Sequence, residues 1–190
     1  MKKILIIIFV IFIQTLSIAD DVYDYEIEGM SIGDSLLEYL SKDYINENLE
    51  AGLIYPGSKR FSIIPFFAEN SKLYSQFNIG IKVGDPKFII HTINAFVDKE
   101  FDECIKIKKK INEEIRNIIP NSKIRTYVDK YAGNFGNSKA YVDHFYLENG
   151  MIRTWCDVWD ESLENNWTNS LNVSAGSTEW HDFLRYEAYN

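Results

Sequence analysis

Two cysteines, three histidines and a run of aromatic side chains have the most chemistry to offer in this sequence. Cys104 and Cys156 stand 52 positions apart, and no Cys-x-x-Cys spacing tunes either thiol. An even pair in a chain bound for an oxidising compartment reads as a disulfide, Cys104 to Cys156, rather than as a reactive thiol pair. His91, His144 and His181 are the only histidines. No two of them fall at ligand spacing and no His-Glu-x-x-His run occurs, so no metal site is expected. The acidic run Asp157, Asp160, Glu161, Glu164 offers oxygens to calcium but lacks the spacing of a calcium loop, and reads as a solvated turn. Gly136-Asn137-Ser138 and Ala175-Gly176-Ser177 do not make a nucleophile elbow. No phosphate-cradling glycine loop, Walker lysine or dinucleotide fingerprint is present, and no cofactor is expected.

The aromatic residues are more informative. Two alternating segments, Ala140–Leu147 and Met151–Trp159, flank Asn149-Gly150, a strong signal for a two-residue hairpin turn of the primed type. That turn sets Leu147 opposite Ile152, Phe145 opposite Thr154, Asp143 opposite Cys156 and Tyr141 opposite Val158, on one face. The other face then carries Tyr146 against Arg153, His144 against Trp155 and Val142 against Asp157, with Trp159 nearby. His144, Tyr146, Arg153, Trp155 and Trp159 form a candidate binding face: flat, partly polar and suited to stacking and hydrogen bonding. The competing reading is that a terminal helix covers these residues as a second core layer. A hydrolase using His144 with Asp143 or Asp157 is the catalytic alternative. Asp143 points to the opposite face, so Asp157, diagonal to His144, is the one carboxylate that can assist.

These residues need elements to position them. Lys87–Val97 is apolar at both parities, which fits a central strand covered on both faces. A helix follows from Asp98 or Lys99 to Ile119 and ends at Pro120. Phe101, Cys104, Ile105, Ile107, Ile111, Ile115, Ile118 and Ile119 share its buried face, while Lys106, Lys109, Lys110, Glu113 and Arg116 point away. Tyr74–Val83 alternates and forms a hairpin with the central strand through Gly84-Asp85-Pro86. Further strands are expected at Arg60–Ile64, Ile124–Tyr131 and Thr168–Val173, and a terminal helix at Ser177–Tyr189. Ser31 and Asp34 read as a capping box opening a helix with Ile32, Leu36, Leu37 and Leu40 buried; Ile45–Gly57 reads as a polar loop. The fold class is α+β: an antiparallel sheet of about five or six strands with helices packed on it.

Residues 1–19 have the order of a secretory signal: Lys2 and Lys3, an apolar run from Ile4 to Ile13, and small residues at Ser17 and Ala19. The apolar run is shorter than the ~20 residues that span a bilayer, so cleavage after Ala19 and no membrane span afterwards are expected. Residues 20–190 then make one domain. Loss of Lys2 and Lys3 leaves 18 basic residues against 28 acidic, a net charge of −10, which argues against nucleic acid and anionic membrane as partners. The abundance of Ile, Lys and Asn points to an AT-rich bacterial genome, so the sequons at Asn166 and Asn172 carry no weight. The expected location is the periplasm or the secreted fraction.

The stretch Ile27-Glu28-Gly29-Met30-Ser31-Ile32-Gly33-Asp34-Ser35-Leu36-Leu37-Glu38-Tyr39, with Cys104 in the long helix and Cys156 in an aromatic strand, resembles an uncharacterised family of small exported proteins of marine alphaproteobacteria. The resemblance covers most of residues 20–190 and supports the architecture without implying an activity. A shorter likeness, confined to Gly29-Met30-Ser31, is to small outer-membrane assembly lipoproteins, whose lipid-bearing Cys this chain lacks. Three functions follow: a periplasmic binding or interaction module without catalysis, a small hydrolase, or a cell-envelope assembly factor. The partner would be a small ligand or an envelope protein.

Overall fold

A computed structural model describes residues 21–67, 71–163 and 167–190. The signal segment and its Ala19 site, together with Glu164 and Asn166, lie outside the described residues. Seven antiparallel strands form one sheet, more than the five or six expected, and a two-stranded hairpin lies apart from it. The hairpin is β1 (Glu26–Ile27) and β2 (Met30–Ser31). The sheet strands are β3 (Phe61–Phe67), β4 (Gln76–Lys82), β5 (Ile90–Asp98), β6 (Lys123–Lys130), β7 (Lys139–Tyr146), β8 (Gly150–Val158) and β9 (Ser170–Ser177). Their order is β3-β4-β5-β9-β8-β7-β6, so the central strand expected over Lys87–Val97 is indeed interior, between β4 and β9. Among the described residues no helix is long and apolar enough to cross a membrane.

Three α-helices pack around the sheet: α1 (Lys42–Leu49), α2 (Phe101–Ile118) and α3 (Thr178–Tyr186). On α2, Cys104, Ile111 and Ile115 are buried, as their spacing requires, against Leu171, Val173 and Ile152 of what we call the inner face. Burial of each large aliphatic side chain there is worth about 1.5–3 kcal/mol. The expectation for Ile118 is corrected: it lies in the last turn and is exposed. The Cys104–Cys156 disulfide ties α2 to β8, with the two Cα atoms 6.0 Å apart.

The reading of Ser31–Leu40 as a helix is overturned. Glu28 and Gly29 both have positive φ (52° and 83°), which turns β1 back into β2. Asp34 does accept from the Ser31 amide (2.8 Å), but Gly33 at φ 96° leaves helical space immediately. Backbone bonds to the start of β5 take over: Gly33 to the Ile90 carbonyl, Leu36 to Phe88, and Ile90 to Asp34, all 2.9 Å. A short 3₁₀ turn at Leu36–Glu38 is what remains, with Leu36 buried and Leu37 exposed. A helix forms later instead, at α1, which begins at Lys42 and runs into the stretch read as loop from Ile45; Ser41 caps it by accepting from the Tyr44 amide, and only Ile45 is buried.

The strand expected at Arg60–Ile64 continues through Pro65 to Phe67, because β3 is an edge strand, where a proline without a donor is tolerated. The N-terminal segment and α2 together cover the inner face. On the outer face, α3 rests on a second core of Phe61, Trp180, Phe183 and Ala188.

Candidate functional site

Seven strands in register set the outer face in rows. One row runs Pro65, Asn78, Asn94, Ser174, Arg153, His144, Arg125. The next runs Phe67, Gln76, Phe96, Asn172, Trp155, Val142, Tyr127. The first is polar from β4 to β6, and the second mixes amides with aromatic rings. The face assignment expected for β7 and β8 holds, although the pairing is displaced by two residues: Phe145 faces Ile152, His144 faces Arg153, and Val142 faces Trp155. An even displacement keeps every side chain on its side of the sheet.

The physical reason for the displacement is Gly150. Its place is inside β8, where a Cβ would run into the carbonyl of Gly176 and into Val22, at 2.9 Å from the Val22 Cβ. The glycine permits close packing there, and the turn falls on Glu148-Asn149 instead, closed by Leu147 N–H donating to the Gly150 carbonyl (3.0 Å). Neither turn residue has positive φ, so the turn is not of the primed type expected.

The five candidate residues all lie on this face but form two groups. His144 sits between Arg125 and Arg153, half-buried, with Tyr127 Oη on Nε2 and Tyr146 Oη on Nδ1, both at 3.3 Å. Burial, then the charges of Arg153, His181 and Arg125, push its pKa down to about 4, so the ring is neutral near neutral pH. The Arg153 guanidinium lies over the Trp155 ring, 4.4 Å from its centroid, and that indole donates to Asp157 Oδ2 (3.0 Å). Trp159 belongs to the second group, stacked on Tyr131 (4.8 Å) and tilted against Trp167 (4.6 Å), with Phe135 alongside.

Asp157 links the groups from beneath. It is buried and accepts from Tyr131 Oη (2.5 Å), the Trp155 indole, and Asn172 Nδ2 (3.0 Å). Burial raises its pKa despite these donors, and burial with the nearby carboxylate also raises that of Tyr131. Arg125, Tyr127, Tyr131, Asn172 and Trp167 went unnoticed at the level of sequence. The alternation of Arg125 and Tyr127 in β6, continued by Tyr131, was the signal present, but the long Gly- and Asn-rich connection from Tyr131 to Ser138 does not fix which face they share with His144.

Neither arrangement around a histidine has the geometry of a hydrolase. His144 is hydrogen-bonded to two phenols, not to Asp157, whose oxygens are occupied. Asp143 lies on the inner face, where it accepts from Lys108 (2.7 Å), Asn112 (2.8 Å) and Thr126. Around α3, Ser177 Oγ and Glu179 Oε2 both stand 3.5 Å from His91, but both face the same nitrogen, Nδ1. A catalytic triad needs the base between its partners, one on each nitrogen. Ser177 moreover caps α3 by accepting from the Trp180 amide, and Glu179 is bound by Arg60 and Lys82.

Where the outer face ends, a cleft of about 660 Å³ opens beside Trp159 and Trp167, lined by Asp98, Glu100, Glu103 and Glu161. Asp160 there is held ionised, its pKa lowered to about 2 by donors from Ser162 and the Asn137 amide. Among the described residues no group of three or more His, Cys, Asp or Glu side chains could hold a metal ion. Comparison with known proteins finds no matching family model, no matching curated protein and no matching solved structure. The site stands on its own chemistry.

Proposed function

We propose that this protein is an exported binding module that holds a ligand, without covalent chemistry, on the outer face around Arg153, Trp155 and His144. The observation that carries the reading is Arg153. It lies over Trp155, and it belongs to no salt bridge among the described residues, in a protein with a surplus of carboxylates. Its charge acts on Asp157 nearby without a contact ion pair, so the stacked guanidinium keeps an N–H edge for a ligand. The helix α3 lies over the end of the face at Gly176 and Met151, with Tyr146 at its margin, rather than over Trp155. Export to the periplasm or beyond is supported by the signal-like order of residues 1–19 and by the Cys104–Cys156 bond. The likeness to small exported proteins of marine alphaproteobacteria agrees with that location.

The test is a titration of tryptophan emission in the cleaved protein with mono- and oligosaccharides and short peptides. A saturable response should appear in the native protein and vanish in Trp155→Ala. That variant should lose only about 1–2 kcal/mol of stability, well short of the ~3–5 kcal/mol typical of a core aromatic. A large loss of stability, with no ligand response in the native protein, overturns the reading.

A further inference from the structure

Resting on that reading of the outer face, we propose that its ligand is a carboxylated saccharide, its carboxylate taken by Arg153 and Arg125 and its sugar rings laid along the neighbouring amide row and Phe96. The cations come first. Arg60, Lys82, Lys99 and Lys108 each engage a carboxylate. Arg125 and Arg153, like most of the described cations, are in no contact ion pair, Arg153 acting on Asp157 only from a distance; what sets the two apart is that they occupy the same row with His144 between them. Two strand spacings set their backbones roughly 10 Å apart. Each guanidinium lies over the aromatic ring two residues further along its own strand, Arg125 over Tyr127 (5.1 Å) and Arg153 over Trp155 (4.4 Å). Stacking of this kind fixes the plane and leaves the N–H edge to meet an anion, and a planar fork matches a carboxylate bidentately.

The remainder of the face says what else the ligand carries. Ser174, Asn94 and Asn78 continue the row from Arg153, and Gln76 and Asn172 stand in the row beside it. These are neutral groups that both donate and accept, the complement of hydroxyls. Two polar atoms here are sealed from solvent without a partner among the described residues: Asn94 Oδ1 and Arg153 Nε. Burial without a partner is costly, and small rearrangements on ligand binding would relieve it. Phe96, in the row beside Asn94, supplies apolar surface for the C–H face of a sugar ring, while Trp155 and Tyr127, each beneath a guanidinium, hold the two arginines in place. The carboxylates of the cleft beyond Trp159 limit the negative charge the ligand can bear along the face. A polyanion with a charge at every step is disfavoured, whereas one or two carboxylates among many hydroxyls fit.

Calorimetric titration of the cleaved protein with sialyllactose (one carboxylate on three sugar rings), its methyl ester, maltotriose, inorganic phosphate and tetraglutamate tests the proposal. Sialyllactose should bind saturably, about tenfold or more tighter than its ester, since a charge-assisted bidentate pair is worth at least that factor. Arg153→Gln should remove that preference, and Arg153→Lys should not restore it; Arg125→Gln should weaken binding less. Unchanged thermal unfolding of the arginine variants shows that the fold is kept. Equal affinity for acid and ester overturns the anionic class but leaves the binding face standing. Binding of phosphate or tetraglutamate as tight as that of sialyllactose overturns the saccharide. No binding by any saccharide overturns the proposal; if Trp155→Ala then also leaves every other response unchanged, the binding face falls with it.

Discussion

His144 is hydrogen-bonded to phenols on both nitrogens and flanked by two arginines, so the fold favours its neutral form. With its pKa depressed from 6.5 to about 4, the unfolded chain binds the extra proton in between. The stability it confers is therefore complete above about pH 6.5 and is lost as the pH falls through 4. His91 and His181, also lowered by burial, act in the same direction. Denaturant midpoints measured at pH 7.5 and 4.5 should drop on acidification, and His144→Gln should flatten the drop; an unchanged slope in the variant counts against this account. On the inner face the buried group is a pair. Lys108 donates to Asp143 and to the Tyr141 carbonyl (2.9 Å), Asn112 donates to Asp143, and Thr154 donates to Asn112 (2.6 Å). Burial would raise the Asp143 pKa, but Lys108, Thr126 and Asn112 together bring it below its ordinary value. Asp143→Ala leaves the Lys108 ammonium buried alone and should cost about 3–5 kcal/mol, whereas Lys108→Met with Asp143→Leu should cost much less. Urea unfolding of the two variants decides, and equal losses would remove the unpaired charge as the cause. This network escaped the sequence because Lys108 and Asn112 break an otherwise apolar helix stripe, and nothing local shows that β7 and β8 bring them partners.

Elements were legible where one periodicity ruled and obscure where tertiary backbone bonds did. The α2 stripe and the β4–β5 hairpin follow from spacing alone, as does the sidedness of β7 and β8. The segment after β2 carries a capping pair and still does not become a helix, since Gly33 and Leu36 bond to β5. The turn before β8 was misplaced because Gly150 serves close packing on β9 and Val22, which no sequence window displays. The site was half legible: its β7–β8 residues were found, while its β6 contribution was not. That strand is an open edge, and its Lys123, Arg125 and Lys130 are the kind of charges that discourage further strand pairing. Between elements, the disulfide is the one covalent link, joining α2 to β8 across 52 residues. Closing a loop of that length should stabilise by about 4 kcal/mol in the chain-entropy model. Cys104→Ser with Cys156→Ser should lower the urea midpoint accordingly, and a midpoint equal to that of the oxidised protein would contradict it.

Across the whole molecule, β9 is the strand that makes one sheet out of two. Strands β3, β4 and β5 are neighbours through one hairpin series, and β6, β7 and β8 through another. β9 comes last and inserts between β5 and β8, pairing with each over seven or eight residues. The polar row from Asn78 to Arg125 exists only because of that insertion; without β9 the amides of one half and the arginines of the other would not share a surface. The same strand leads directly into α3, whose Trp180 and Phe183 pack on Phe61 of β3, so the C-terminal segment holds both halves. Neither half can then retain its structure when β9 detaches, and unfolding should be a single cooperative transition despite the length of the sheet. The four tryptophans allow a direct check, since Trp155, Trp159 and Trp167 report the β6–β8 half and Trp180 reports the β3–β5 half. With 5-fluorotryptophan incorporated, all four fluorine resonances should move to their unfolded positions at one urea concentration. After reduction of the disulfide they should still move together, at a lower concentration. If Trp180 lost its native signal separately from the other three, the sheet would be two folding units and β9 a weaker joint than its pairing implies.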